Sequence, residues 1–122
     1  MPILDIEIVL RENESLPPDL PQIIADRVGE IFGSGPGGTW VRVHPIDPGH
    51  YAENATGPDE LAYPVFVSIL KVDLPPPSRI QAEITRLTEG LASACHRPPE
   101  NIHIIYLPDG RGRVAFGGKL LK

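Results

Sequence analysis

The chain has 122 residues, with 11 basic against 16 acidic side chains and a net charge of −5. That length holds one modest core, and the acidic balance argues against a nucleic-acid surface, which needs a basic patch. The apolar runs are too short to span a bilayer, and the single cysteine, Cys95, excludes an intramolecular disulfide. No signal-like segment precedes the first strand pattern, so a reducing cytoplasm is the expected compartment. Acidic residues concentrate in the first half and basic ones in the second, which reads as ordinary solvated surface.

The first element runs from Ile3 to Leu10, where Leu4, Ile6, Ile8 and Leu10 alternate with Asp5 and Glu7 in the period-2 pattern of a strand. After a turn, Leu20, Ile23, Ile24, Arg27, Val28, Ile31 and Phe32 recur at helical spacing, with Asp19 as N-cap, Pro21 in the first turn and Gly33 as the stop. A second strand covers Thr39 to Ile46. The order then repeats. Pro64 to Val72 is a strand, Ser78-Arg79-Ile80-Gln81 is a capping box, Ile80, Ile84, Leu87, Leu91 and Cys95 mark one helix face, and Ile102 to Leu107 is a fourth strand. Aligning the halves places Pro2 on Pro64 and Arg42 on Ile104.

The expected fold is therefore α+β and two-layered, a single domain over residues 1–122. It comprises a β-α-β unit at 3–46, a second at 64–107 and a short strand or hairpin within 112–122. Right-handed crossovers between parallel strands give a four-stranded sheet with both helices on one face. Strand three carries Val65, Val67 and Ile69 on one side and Phe66, Leu70 and Val72 on the other. Strand four carries Ile102 and Ile104 on one side, Ile105 and Leu107 on the other. Two helices cover only one side, so a homo-oligomer is expected to bury the second, and the tail could pair with a neighbour's sheet edge.

Several motif matches carry no chemistry. Gly33-Ser34-Gly35-Pro36-Gly37-Gly38 satisfies GxGxxG, but the order here is helix, glycines, strand, the reverse of a nucleotide site. His44, Asp47 and His50 fit no metal-ligand spacing. Ser68 lies within a strand with no nucleophile elbow. Cys95 sits on an apolar stripe and reads as a small core residue. No metal and no cofactor is expected.

Pro2 is different. Methionine aminopeptidases remove Met1 when the next residue is as small as proline, which would leave a secondary amine at the head of a strand. A free α-amino group titrates near about 8 in water, and apolar burial or a nearby cation lowers that value. Ile3, Trp40 and Arg42 are the candidate suppliers of those effects. Such a nitrogen can take a proton from one atom and return it to another.

Three stretches carry a resemblance: Met1-Pro2-Ile3-Leu4-Asp5-Ile6-Glu7-Ile8-Val9, Val41-Arg42-Val43-His44, and Val114-Ala115-Phe116-Gly117-Gly118-Lys119-Leu120. With the doubled β-α-β, the chain resembles the tautomerase superfamily of 4-oxalocrotonate tautomerase, 5-carboxymethyl-2-hydroxymuconate isomerase and macrophage migration inhibitory factor. The resemblance implies a homotrimer with active sites shared between chains. It also implies cofactor-free proton transfer on a small carboxylated enol or keto acid, with Pro2 as general base and acid. Arg42 aligns with a carboxylate-gripping arginine, although an exposed strand arginine fits the residue as well. His103 falls near the position of an active-site tyrosine, Tyr106 is the other candidate for that place, and Val114 and Phe116 correspond to an apolar wall. Departures are Arg11, one position early for a second arginine, and Pro36 where one branch has a lysine. Lys71-Val72-Asp73-Leu74-Pro75 stands where the dehalogenase branch has paired arginines, and Ala115 where that branch has a late carboxylate. Haloacrylate hydration is thus disfavoured, while decarboxylation of a β-keto acid and a non-catalytic binding or signalling-like trimer stay open.

Overall fold

The computed structural model describes residues 2–57 and 60–122. Among them the chain forms strand β1 (Ile3–Val9), helix α1 (Leu20–Phe32), β2 (Trp40–Ile46), β3 (Val65–Leu70), α2 (Pro77–Cys95), β4 (Ile102–Tyr106) and a hairpin of β5 (Ala115–Phe116) and β6 (Lys119–Leu120). β1 and β2 run parallel, as do β3 and β4, and the halves join through an antiparallel β1–β3 pairing, giving the sheet order β2-β1-β3-β4.

Period-2 alternation decides which side of the sheet is buried. Leu4, Ile6, Ile8, Val65, Val67 and Ile69 are fully buried and meet Leu20, Ile24 and Val28 of α1 and Leu87, Leu91 and Cys95 of α2. Each such side chain contributes roughly 1.5–3 kcal/mol by leaving water. α1 stops where the sequence indicates: Gly33 adopts the left-handed conformation and its amide, with that of Ser34, closes the helix on Glu30 and Gly29. The Asp19 side chain makes no capping bond.

The expected capping box at Ser78 is not formed. α2 begins two residues earlier, at Pro77, with Pro76 in the N-cap place and no side-chain cap. The cause is the run Pro75-Pro76-Pro77: a proline at the first helical position has its dihedral preset and no N–H to satisfy. β3 is also shorter than its apolar pattern, ending at Leu70, so Val72 is outside the strand. β4 ends at Tyr106, and the Leu107 amide still bonds to the Ile69 carbonyl.

The uncovered face is more polar than the third and fourth strands alone suggest. Across it run Arg42, Asp5, Ser68 and Ile105 in one row, and His44, Glu7, Phe66 and His103 in the next. Trp40, Ile105 and Leu107 remain exposed. Gly117 and Gly118 both have positive φ, 59° and 85°, as a two-residue type I′ hairpin turn requires. The tail therefore folds back on itself, pairing Ala115 with Leu120 and Phe116 with Lys119. No helix is long and apolar enough to cross a membrane among the described residues.

Candidate functional site

Pro2 heads β1 and is buried. Its carbonyl accepts from the Trp40 amide at 3.0 Å, the first rung of the β1–β2 ladder. Beside it opens a cleft of about 480 Å³, lined by Pro2, by Phe32, Gly33, Ser34 and Gly38 from the end of α1 and its following turn, and by Lys71, Val72 and Asp73 after β3. The topology makes this convergence. β1 starts where its antiparallel partner β3 ends, and the parallel β2 starts beside it, so α1's C-terminus and the segment after β3 meet at the same edge. Met1 lies outside the described residues.

The cleft has one apolar and one cationic wall. The Lys71 ammonium lies 4.8 Å from the centre of the Phe32 ring, within cation–π range. Its Nζ donates to Glu83 of α2, at 3.3 Å to Oε1 and 3.2 Å to Oε2. The Tyr106 hydroxyl donates to the same Oε1 at 2.8 Å. Burial, with the Glu83 carboxylate adding to it, keeps the Tyr106 phenol protonated far above its usual range. At the rim, Asp73 is held by the Arg111 guanidinium, whose hydrogen bonds lower the Asp73 carboxyl below its ordinary value. The rim is tied to the tail by the Gly110 and Arg111 amides, which donate to the Lys71 and Val72 carbonyls at 2.8 and 3.2 Å.

Of the catalytic and substrate-binding residues expected from the sequence, only Pro2 is in the cleft lining. Trp40 and Phe116 come together, ring centres 5.5 Å apart and edge-on, and the Trp40 indole N–H donates to the Gly37 carbonyl. Val114 packs beside Gly110. Arg42 stands on the uncovered sheet face, where Nε and Nη2 each reach Asp5 at 2.7 Å, and His44 Nε2 lies 3.2 Å from the same carboxylate. The Arg42 hydrogen bond, followed by weaker contributions from His44, lowers the Asp5 carboxyl despite some desolvation. His103 is on that face too, 5.6 Å from Phe66. Tyr106 is on the helix-covered side, linked to Lys71 through Glu83. In the sequence Phe32 reads only as a helix position, and Lys71 and Asp73 only as a departure from the dehalogenase pattern; Glu83 has no place in the motif reading. Among the described residues no group of three His, Cys, Asp or Glu side chains is placed to hold a metal.

No family model matches the sequence, and no curated protein matches it. Solved structures do. A fused 4-OT described as a symmetric trimer shares 11% identity at TM-score 0.75, covering 97% of this chain and 94% of its own. The macrophage migration inhibitory factor of Trichinella spiralis shares 14% at 0.71, covering 96% and 97%. The FG41 malonate semialdehyde decarboxylase, inhibited there by 3-bromopropiolate, shares 18% at 0.68, covering 94% and 88%. All three are members of the tautomerase superfamily. The chain has the tautomerase fold. The likeness spans 88 to 97% of each of these structures, so it takes in both halves of the chain.

Proposed function

We propose that this protein is a cofactor-free keto–enol tautomerase of small carboxylated enols or keto acids, with Pro2 as general base and acid once Met1 has been removed. The observation that carries this reading is the buried Pro2 at the head of β1, in a cleft walled by the Phe32 ring and the Lys71 ammonium. An apolar wall and a cation both favour the neutral amine. The nitrogen accepts the enol hydroxyl proton, and the resulting secondary ammonium returns a proton to carbon. Lys71 faces the negative charge that develops on the substrate oxygen.

Within one protomer Arg42 and His103 are on the open face, so a grip on the substrate carboxylate by either requires a cleft completed by a neighbouring copy. A homotrimer supplies that neighbour and covers Trp40, Ile105 and Leu107, which are 44, 56 and 39% exposed. Sedimentation as a stable monomer at micromolar concentration would contradict this assembly. The buried free thiol of Cys95 fits a reducing cytoplasm.

The test is Pro2→Ala on ketonisation of phenylenolpyruvate: the variant's chain begins with a flexible primary amine in place of the rigid secondary one, and a loss of about 100-fold is expected for a displaced general base. Unchanged rates would favour a non-catalytic trimer. Decarboxylation of a β-keto acid is a second reading, favoured by Lys71, whose charge suits the enolate left when carbon dioxide departs. Carbon dioxide release in place of enol ketonisation would select it.

A further inference from the structure

We propose that Glu83 is a positioning residue for the Pro2 cleft: its carboxylate holds the Lys71 ammonium and the Tyr106 hydroxyl together, and so sets where the cleft's cation stands and how much of its charge reaches Pro2. The inference rests on the reading of Pro2 as the base. Three elements meet at this carboxylate. Glu83 is on α2, Lys71 follows β3 and Tyr106 closes β4, and the contacts are 3.2 and 3.3 Å to Nζ and 2.8 Å to the phenol. The Lys71 and Glu83 side chains are only 19% and 17% exposed, so water screens the pair weakly.

The Phe32 ring limits the ammonium on another side. Lys71 is thereby confined between a carboxylate, an aromatic face and the cleft. Other charged groups near the site are engaged elsewhere or lie outside the cluster. Asp73, in the cleft lining, is held by Arg111. On α2 itself, Arg79 and Arg86 lie within about one turn of Glu83 in sequence, and neither forms an ion pair with it among the described residues. Lys71 is therefore the cleft cation, and Glu83 is its counter-ion.

Glu83→Gln keeps the shape and removes the charge. With its counter-ion gone, Lys71 presses its full charge on Pro2, so the acid limb of kcat/KM is expected to move to lower pH by roughly 0.5–1 unit. Lys71→Met should move that limb the opposite way. Tyr106→Phe, which removes one hydrogen bond and no charge, should leave it within about 0.3 unit of wild type. Two further readouts need no turnover. In Glu83→Gln, acetic anhydride should modify Lys71 faster by peptide mass spectrometry, and the slowest-ionising tyrosine should titrate at lower pH by ultraviolet absorbance. If Lys71 labelling and the tyrosine titration match wild type, Glu83 does not hold the pair and the proposal is overturned. An unmoved acid limb in Glu83→Gln, while Pro2→Ala sharply lowers turnover, also overturns it and leaves the proline reading standing. Wild-type turnover in Pro2→Ala overturns the proline reading itself and, with it, the positioning role.

Discussion

Two acid–base pairs join separate elements at opposite ends of the sheet, and they are built differently. At one end Arg97, just past α2, has a side chain with no exposure at all. It donates to both Glu14 carboxylate oxygens, at 2.8 and 3.1 Å, and to the carbonyls of Val9, Tyr63 and Cys95 at 2.9 to 3.1 Å. At the other end Lys71 and Glu83 are partly open, share their contact with Tyr106 and border a cleft. A guanidinium whose five N–H groups all meet acceptors has no donor to offer a ligand. An ammonium has three donors and can rotate them, and among the described residues Lys71 has only Glu83 as hydrogen-bond partner, beside the cleft. Burial of one pair makes a structural clasp, and partial exposure leaves the other at the wall of a cleft.

The largest effect should come from the sealed end. Arg97→Ala takes the buried cation from the Glu14 carboxylate, leaving it the more exposed Arg11, and removes a donor from the carbonyls of Val9, Tyr63 and Cys95, so urea denaturation should show a loss of about 3–5 kcal/mol, the usual cost of removing one partner of a buried ion pair. A loss below about 1 kcal/mol would erase the distinction between the two ends. Next is Gly110→Ala, at the tail anchor beside the cleft. A β-carbon there would come within 3.2 Å of the Lys71 carbonyl oxygen and of Val114, and 3.4 Å of Leu70. Overpacking of this kind should cost about 1–3 kcal/mol and disturb the Lys71 end without touching Arg97.

Acid should also reach the clasp. Burial alone would raise the Glu14 carboxyl, but the hydrogen bonds from Arg97 and the Arg11 amide outweigh it and hold the group below its ordinary 4.5. A carboxylate with a depressed folded value stabilises above its unfolded value, and that contribution is lost as pH falls from about 4.5 through the folded value. Thermal midpoints should therefore fall below pH 4.5, and in Glu14→Gln that part of the acid slope should be absent. The smallest stability change belongs to Arg42→Ala. Its pair with Asp5 is exposed, so the urea midpoint should stay close to that of wild type. If Arg42 grips a carboxylate across a subunit boundary, KM should rise with folding intact. An unmoved KM removes it from the site.

The frame of the fold was legible because alternation and helical spacing report burial directly. Ile3–Val9 and Leu20–Phe32 could be drawn almost to the residue. Strand ends were less so: β3 stops before its apolar pattern does, since Val72 turns into the cleft lining. The cleft was legible only in part. Pro2 stood out by its chemistry, but Lys71 and Glu83 have no motif. Their signal was phase. Lys71 continues the buried parity of Val65, Val67 and Ile69, and Glu83 sits on the stripe between Ile80 and Leu87. Opposite charges in phase with the buried sides of two packed elements must find each other. Arg42 shows the reverse case. Its register placed it opposite Asp5 on the uncovered side, a pairing that becomes visible only when β1 and β2 are aligned.

The central claim concerns the nitrogen of Pro2, and one measurement reaches it directly. Native protein is incubated with 3-bromopropiolate, an electrophilic acid that alkylates a neutral amine, and the N-terminal peptide is weighed after digestion. The expected product begins at Pro2 and carries a single adduct on its nitrogen. Recovery of an unmodified peptide that still begins with Met1 would contradict a catalytic role for this proline.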